Sequence, residues 1–375
     1  MAEYTRPCAG PPPDNQHNVF RQRAPAGTPC RPPAARFIRP VAIHDRIRPE
    51  PYMTTTDSSE TAVAPRGKRR LGDLVFANSA RGAGLLILAI LAGVALFLIV
   101  QSLSSLTANE GNFFTSSEWS PEAGPGEEVR FGVAALAFGT VLGAAIALVL
   151  ATPVAVGIAL FIVYYAPRRL AALLGYLVDL LAAIPSVVYG LWGLVYLVDQ
   201  LQPLYRFMAE YLGWIPLFAG PVSSTGRTML SAGIVLAVMI LPIITAMARD
   251  VFTQVPQTHR EAALALGATR WEMIRTAVLP FGRPGVIGGA MLGMGRALGE
   301  TMAVAMILSP SLVISPNVLQ SGNQTIAAHI ALQYPEATGT GVSALIAAGL
   351  VLFGITLAVN MAARFVVSRR KEFTE

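Results

Sequence analysis

Long apolar runs dominate this chain, and short polar or charged stretches separate them. A helix needs about 20 mostly apolar residues to cross the hydrocarbon core of a bilayer. Six runs meet that length, at 84–106, 131–164, 170–198, 228–248, 286–308 and 341–365. The second and third are over-long, and each holds an interior proline, Pro153 and Pro185. Neither is long enough for two crossings, so the pattern predicts single kinked or tilted spans. The expected fold is all-α: a polytopic membrane protein with six transmembrane helices.

One polar interlude differs from the other connections. The stretch 258–280, THREAALALGATRWEMIRTAVLP, has the local signals of two short helices. Thr258 with Glu261 makes one capping box, Gly267 suits a left-handed stop, and Thr269 with Glu272 makes a second box. Pro280 is expected to end the second helix, since proline removes a backbone donor and clashes with the preceding turn.

Composition agrees with the apolar runs: 53% of the 375 residues are hydrophobic and 13% charged. Charge then tests the topology, because short cytoplasmic loops accumulate Lys and Arg. Alternate connections carry Arg66, Lys68, Arg69, Arg70 and Arg81; Arg168 and Arg169; Arg249, Arg260, Arg270, Arg275 and Arg283; and Arg364, Arg369, Arg370 and Lys371. The opposite set holds Arg130, Arg206 and Arg227 but collects Glu110, Glu118, Glu122, Glu127, Glu128, Glu210 and Glu336. Both termini are predicted to be cytoplasmic. The basic balance is spent on orientation and implies no nucleic-acid partner.

Two domains are expected. Residues 1–70 are rich in proline and arginine and have no apolar period, which predicts a disordered cytoplasmic segment. It reads either as an interaction tail or as an extension ahead of a natural start at Met53. No apolar core of a signal peptide appears before Leu85. Both cysteines, Cys8 and Cys30, fall here, so neither a disulfide nor a metal site is expected in the membrane domain, 71–375. Its cytoplasmic coupling loop is 249–283.

The chain also lacks several chemistries. Its two lysines, Lys68 and Lys371, follow no phosphate-cradling glycine pattern, so ATP is expected to be used on another chain. The histidines His17, His44, His259 and His329 form no HExxH pair, and no GxSxG elbow is present. Neither catalytic nor metal-binding residues are predicted, and no cofactor is expected on this chain.

Charges inside the apolar runs stand out instead. Arg296 and Glu300 lie near the middle of the fifth run, where each unpaired charge costs about 2.5–3.5 kcal/mol on insertion scales. Four residues apart, they would share a helix face and could pair. Asp179 in the third run is read as a gate or as a packing partner of Arg168 or Arg169, and Pro185 as a hinge or a static kink. Gly288, Gly289, Gly293, Gly295 and Gly299 would permit close helix approach.

EAALALG, ten residues and then VLP resembles the EAA loop of permease subunits in ABC importers. The anchors are Glu261, Ala262, Ala263, Gly267, Leu279 and Pro280; Ala277 stands where a larger aliphatic is usual. The resemblance implies a type I ABC importer permease fold and a coupling helix that docks on a separate ATPase subunit. GRALGETMAV from Gly295 and LLAAIPSVVYGLWGL from Leu180 are similar to phosphate permeases of the PstC type, over most of residues 71–370. That likeness implies a bacterial plasma-membrane location, a PstA-type sister permease, a PstB-type ATPase dimer and a PstS-type extracytoplasmic phosphate-binding protein. It makes Arg296 a donor to phosphate, with Glu300 holding the guanidinium and Thr301 adding a hydroxyl; a self-neutralising structural pair is the other reading. Sulfate or molybdate transport, and a signalling subunit that carries no anion, are the alternative functions.

Overall fold

The most hydropathic run forms one unbroken helix, α1 (Leu71–Ala108), which contains no proline and leaves most of its large side chains exposed. The computed structural model describes residues 71–122 and 128–371. The readings of segment 1–70, including Met53, Cys8 and Cys30, lie outside the described residues. After α1 the chain turns back through a two-stranded antiparallel ladder, β1 (Trp119–Ser120) with β2 (Arg130–Phe131), in which Trp119 pairs with Phe131.

α2 (Ala134–Leu160) runs on through a π turn, Phe161–Tyr165, so that Ala134–Tyr165 is one 32-residue helix despite Pro153. It ends at Ala166, which is extended (ψ 137°) because the ring of Pro167 disfavours helix in the residue before it. α3 (Arg168–Ala182) follows. α4 (Ser186–Trp192), a π turn (Gly193–Leu197) and α5 (Val198–Leu212) then continue as one rod. The axis bends by 91° between α3 and α4. Here the expected kink at Pro185 is a full break between two helices. Ala183 and Ile184 close α3 with tight bonds to Leu180 and Leu181, and Pro185 (φ −58°, ψ 139°) cannot continue the ladder. The Tyr189 hydroxyl donates to the Leu181 carbonyl at 2.9 Å, satisfying an acceptor that the break exposes.

α6 (Met229–Thr253) starts at Thr228, whose hydroxyl accepts from Ser231 N at 3.2 Å, and carries Pro242 without stopping. α7 (Gln257–Ala265) and α8 (Arg270–Met273) fill the polar interlude. A third π turn (Ile274–Val278) leads into α9 (Leu279–Leu298). α10 (Met302–Ile307), α11 (Ile326–Gln333) and α12 (Gly339–Lys371) complete the chain.

Among the described residues, four helices are long and apolar enough to cross a membrane, or five if the bent pair counts as one span. The run at 286–308 is not among them: its helix breaks at Gly299, and glycines and Arg296 dilute its hydropathy. The predicted count of six is therefore not reached by length and composition alone.

α6 is the centre of the bundle. α2 presents Gly139, Gly143, Ala147, Ala151, Ala155 and Ala159 at every fourth position, all buried, and most of this stripe packs in the clusters built around α6. Small residues at that spacing let helix backbones approach closely, which drives association where no hydrophobic gradient exists. α9 uses the same device on another face of α6: an added Cβ at Gly285 would lie 2.2 Å from the Val251 side chain, and one at Gly289 2.9 Å from Met247. Gly293 also faces α6, whereas Gly288 and Gly295 face open space. At the end bearing the β-ladder, the irregular segment 309–325 folds back onto the bundle. Leu230 N donates to Val318 O and Ser223 N to Leu319 O, while Ile326 N donates to Thr140 Oγ1 of α2 at 2.9 Å.

Candidate functional site

At the end opposite the ladder, α7 and α8 stand out from the bundle on a small apolar foot. Phe252, Val255, Met273, Ile274 and Val278 are buried together with Ala159 and Leu160 of α2, and half-buried Ala263 of α7 packs against them. Tyr164 adds a polar tie: its hydroxyl donates to Phe252 O at 2.9 Å, and Arg260 lies over its ring at 5.9 Å. The opposite face is bare. Glu261, Ala262, Leu264, Gly267 and Pro280 are exposed, and so are the large apolar Leu266 (89%) and Trp271 (57%). Leu279, the remaining anchor, is half-buried against the foot.

Local signals here were partly right. Gly267 does take the left-handed stop (φ 83°), and Thr269 and Glu272 do form a reciprocal capping box. The Thr269 backbone N–H and hydroxyl hold the Glu272 carboxyl below its ordinary pKa. The Thr258–Glu261 box is not formed, because the helix begins two residues earlier, at Gln257, with Pro256 (φ −56°, ψ 138°) as its N-cap. Pro280 does not end the second helix either. α8, the π turn and α9 are continuous, and Pro280 sits in the first turn of α9. The preceding π turn, which contains Ala277, widens the backbone where the proline ring would otherwise meet the carbonyl of Thr276.

The second cluster lies at the break between α9 and α10. Arg296 is in the last turn of α9, Gly299 caps it, and Thr301 precedes α10. The expected Arg296–Glu300 pair is absent, since the helix stops before Glu300 and the two residues no longer share a face. Buried Glu300 (8% exposed) instead accepts from Ala303 N at 3.2 Å, capping α10 at the end where the helix dipole favours a negative charge. Arg227 reaches the other end of α10 and donates to Met306 O at 3.2 Å. The half-buried Arg296 guanidinium and the Thr301 hydroxyl make no hydrogen bond or ion pair among the described residues. Arg296 is in electrostatic range of the Tyr189 hydroxyl on α4. The two broken elements meet here: an added Cβ at Gly190 of α4 would lie 2.7 Å from Ala303 Cα of α10.

Asp179 does not pair with Arg168 or Arg169. Arg249 of α6 lies 3.6 Å from it, crossing α3 at Gly175, and also contacts Asp250 at 3.5 Å. The α3–α6 packing brings these residues together, a contact no sequence spacing announces. Also unsignalled is His329, buried on α11 edge-on to Trp119 (ring centroids 4.5 Å apart). Burial alone lowers its pKa to about 4. The stripe of small residues on α2, by contrast, was readable as a four-residue period. Among the described residues, no group of His, Cys, Asp or Glu could hold a metal.

Residues 151–372 match the family of binding-protein-dependent transport system inner membrane components. The phosphate transport system permease protein PstC 2 of Mycobacterium tuberculosis is 48% identical over 314 residues, covering 82% of this chain and 95% of that protein. PstC of Mycobacterium leprae is 47% identical, over 74% of this chain and 87% of its own length. The chain belongs to this permease family, among its PstC-type members. PstC of Mesorhizobium japonicum is 40% identical over 80% of this chain and 91% of its own. As a transport permease of the ABC family, the chain is not an enzyme. Among solved structures, an inward-facing form of the MetNI methionine ABC transporter overlays at a TM-score of 0.44 with 15% identity, covering 62% of this chain and 94% of that one. The overlay is too loose to carry an argument about individual residues.

Proposed function

We propose that this chain is the permease subunit of an ATP-driven inorganic phosphate importer in the bacterial plasma membrane. It forms the translocation path with a PstA-type sister permease, and a PstS-type binding protein delivers the anion. A separate PstB-type ATPase dimer drives the motion, so this chain binds no cofactor. The observation that carries the reading is the arrangement of the polar loop: a short helix fixed by its inner face to the ends of α2 and α6 offers Glu261, Ala262, Leu264 and Leu266 outward. A docked ATPase pushing on that face would move both helices as one body. Residues 71–375 act as the permease domain and 1–70 as a cytoplasmic segment. The broken element α9–α10 makes the sixth crossing, which places both termini on the cytoplasmic side in accord with the arginine distribution.

Arg296 is the anion contact in this reading. An intramembrane guanidinium without a protein partner is costly, and a phosphate oxyanion supplies the planar, bidentate acceptor it lacks. Thr301 adds a hydroxyl. Glu300 takes a changed role: it holds the end of α10 in place rather than neutralising Arg296. Non-helical backbone at membrane depth is tolerated where it is buried in protein or lines a cavity, and it exposes the helix ends that bind ions.

The test is ATP-dependent uptake of radiolabelled phosphate into vesicles holding the complete assembly, with sulfate and molybdate as competitors. Uptake that neither competitor blocks is expected. Competition by sulfate would identify another oxyanion as substrate, and assembly without flux would identify a signalling subunit. Arg296→Gln should abolish uptake while leaving the assembly intact; undiminished flux in that variant refutes the assigned contact.

A further inference from the structure

A groove of about 900 Å³ lies between α1, α9 and α12, on a different side of α9 from its packing against α6. Its walls are apolar: Leu88 and Leu91 from α1, Ile287 and Met291 from α9, Leu357 and Met361 from α12. One end changes character. Asn360 and Arg364, one turn apart on α12, line it there, and both are exposed. Neither side chain has a hydrogen-bonding or ionic partner among the described residues.

Two further cations sit at the same end of the bundle. Arg283 directly precedes the lining residue Pro284 where α9 begins. Arg81 precedes Leu88 by seven residues on α1, about 10 Å along a helix. Both are exposed and make no ion pair among the described residues. The groove thus grades from hydrocarbon walls through an amide to the Arg364 guanidinium, with Arg81 and Arg283 beyond its lining at the same end of the bundle. That sequence of chemistries matches one phospholipid: acyl chains, ester carbonyls, then an anionic headgroup. A protein helix of ordinary apolar character would fill the walls but leave Asn360 and Arg364 without acceptors, a cost that a phosphodiester removes.

We propose that this groove binds an anionic phospholipid, with its acyl chains along α1, α9 and α12 and its phosphate held by Arg364, Arg81 and Arg283. The proposal rests on the membrane orientation proposed above, which puts these arginines at the cytoplasmic leaflet, where anionic lipid attracts basic groups. α9 is one wall of the groove and also carries Arg296, so an occupied groove restrains the helix that presents the anion contact.

The test is native mass spectrometry of the complete permease assembly titrated with phosphatidylglycerol or phosphatidylcholine. Phosphatidylglycerol should bind about five-fold more tightly for each engaged arginine. Arg364→Gln should cut that preference by about the same factor and leave phosphatidylcholine occupancy unchanged. Gly288 lines the groove, and a side chain there would enter open space, so Gly288→Leu should lower occupancy by both lipids. Equal occupancy by the two lipids, a preference unaltered in Arg364→Gln, or full occupancy in Gly288→Leu each overturns the proposal. So does displacement of the lipid by millimolar inorganic phosphate, which would mark a free-anion site instead. Orientation is read separately, by thiol labelling of Thr374→Cys after Cys8→Ser and Cys30→Ser. An external label there overturns the orientation while leaving any measured lipid preference standing.

Discussion

The seam between α2 and α6 and the pair of broken elements α3–α4 and α9–α10 are built from the same small residues yet come out as opposites. In the seam, glycine and alanine recur every fourth residue along one unbroken helix, and the stripe is buried throughout. At the breaks, Gly190 and Gly299 accompany short helices, an unpaired arginine and a buried carboxylate. Both regions pack closely, as Gly233 of α6 against the Ile146 side chain of α2 and Gly190 against Ala303 show. What separates them is backbone continuity. A continuous ladder pairs most of its backbone groups internally and makes a rigid body, whereas a broken one exposes helix ends that need a partner and can exchange it. The foot of α7 rests on the rigid side, through Ala159, Leu160 and Phe252, while Arg296 sits on the broken side. Under the proposed function, force would enter at the stiff region and the anion would be met at the compliant one.

Overfilling the small-residue stripe of α2, where Gly139 meets segment 309–325, is the largest available perturbation. A Cβ at Gly139 would lie 2.2 Å from the Gln324 carbonyl, so Gly139→Val should cost on the order of 3–5 kcal/mol and collapse the yield of folded protein in thermal unfolding. Stability within about 1 kcal/mol of the parent would mean this end of the α2 stripe is as compliant as the breaks. Next in size is the pH response of α11, which is bonded to the seam through Thr140. His329 is neutral in the fold with a pKa lowered to about 4, against an ordinary value near 6.5. Between these values the unfolded chain binds the extra proton, so stability falls as pH drops, by roughly 2–3 kcal/mol at pH 4. His329→Gln should flatten that slope in unfolding measured from pH 7 to pH 4; a slope unchanged by the substitution places its origin elsewhere.

Cutting the cap at the break is milder for stability and harsher for function. Glu300→Ala removes the acceptor for Ala303 N and should cost about 1 kcal/mol in chemical denaturation while reducing phosphate uptake far more than that loss explains. Uptake that tracks stability alone would erase the functional contrast between seam and break. The smallest effect is expected at the Asp179–Arg249 pair, whose carboxylate is 55% exposed. Asp179→Asn should shift stability by less than about 1 kcal/mol, the range of exposed ion pairs. A larger shift would show that α3 is held to the rigid body by charge rather than by the close approach at Gly175.

Length and hydropathy were enough to announce a helical membrane protein, because a bilayer imposes one length rule on every crossing. Within the polar loop, the Gly267 stop and the Thr269–Glu272 box were equally readable, since they act through neighbours in sequence, whereas the Thr258–Glu261 box and the Pro280 stop did not form. Tertiary structure decided the rest. Whether a proline bends, breaks or merely sits in a helix depended on what surrounded it: Pro153 and Pro242 are carried through, Pro280 is absorbed by a π turn, and Pro185 turns the chain by 91°. The partners of Asp179 and His329, which are Arg249 and Trp119, were fixed by elements far apart in sequence, while Glu300 turns to nearby Ala303 N because the helix breaks before it. Local patterns cannot name such partners, because a side chain's energy there comes from packing across elements and not from its own run of residues.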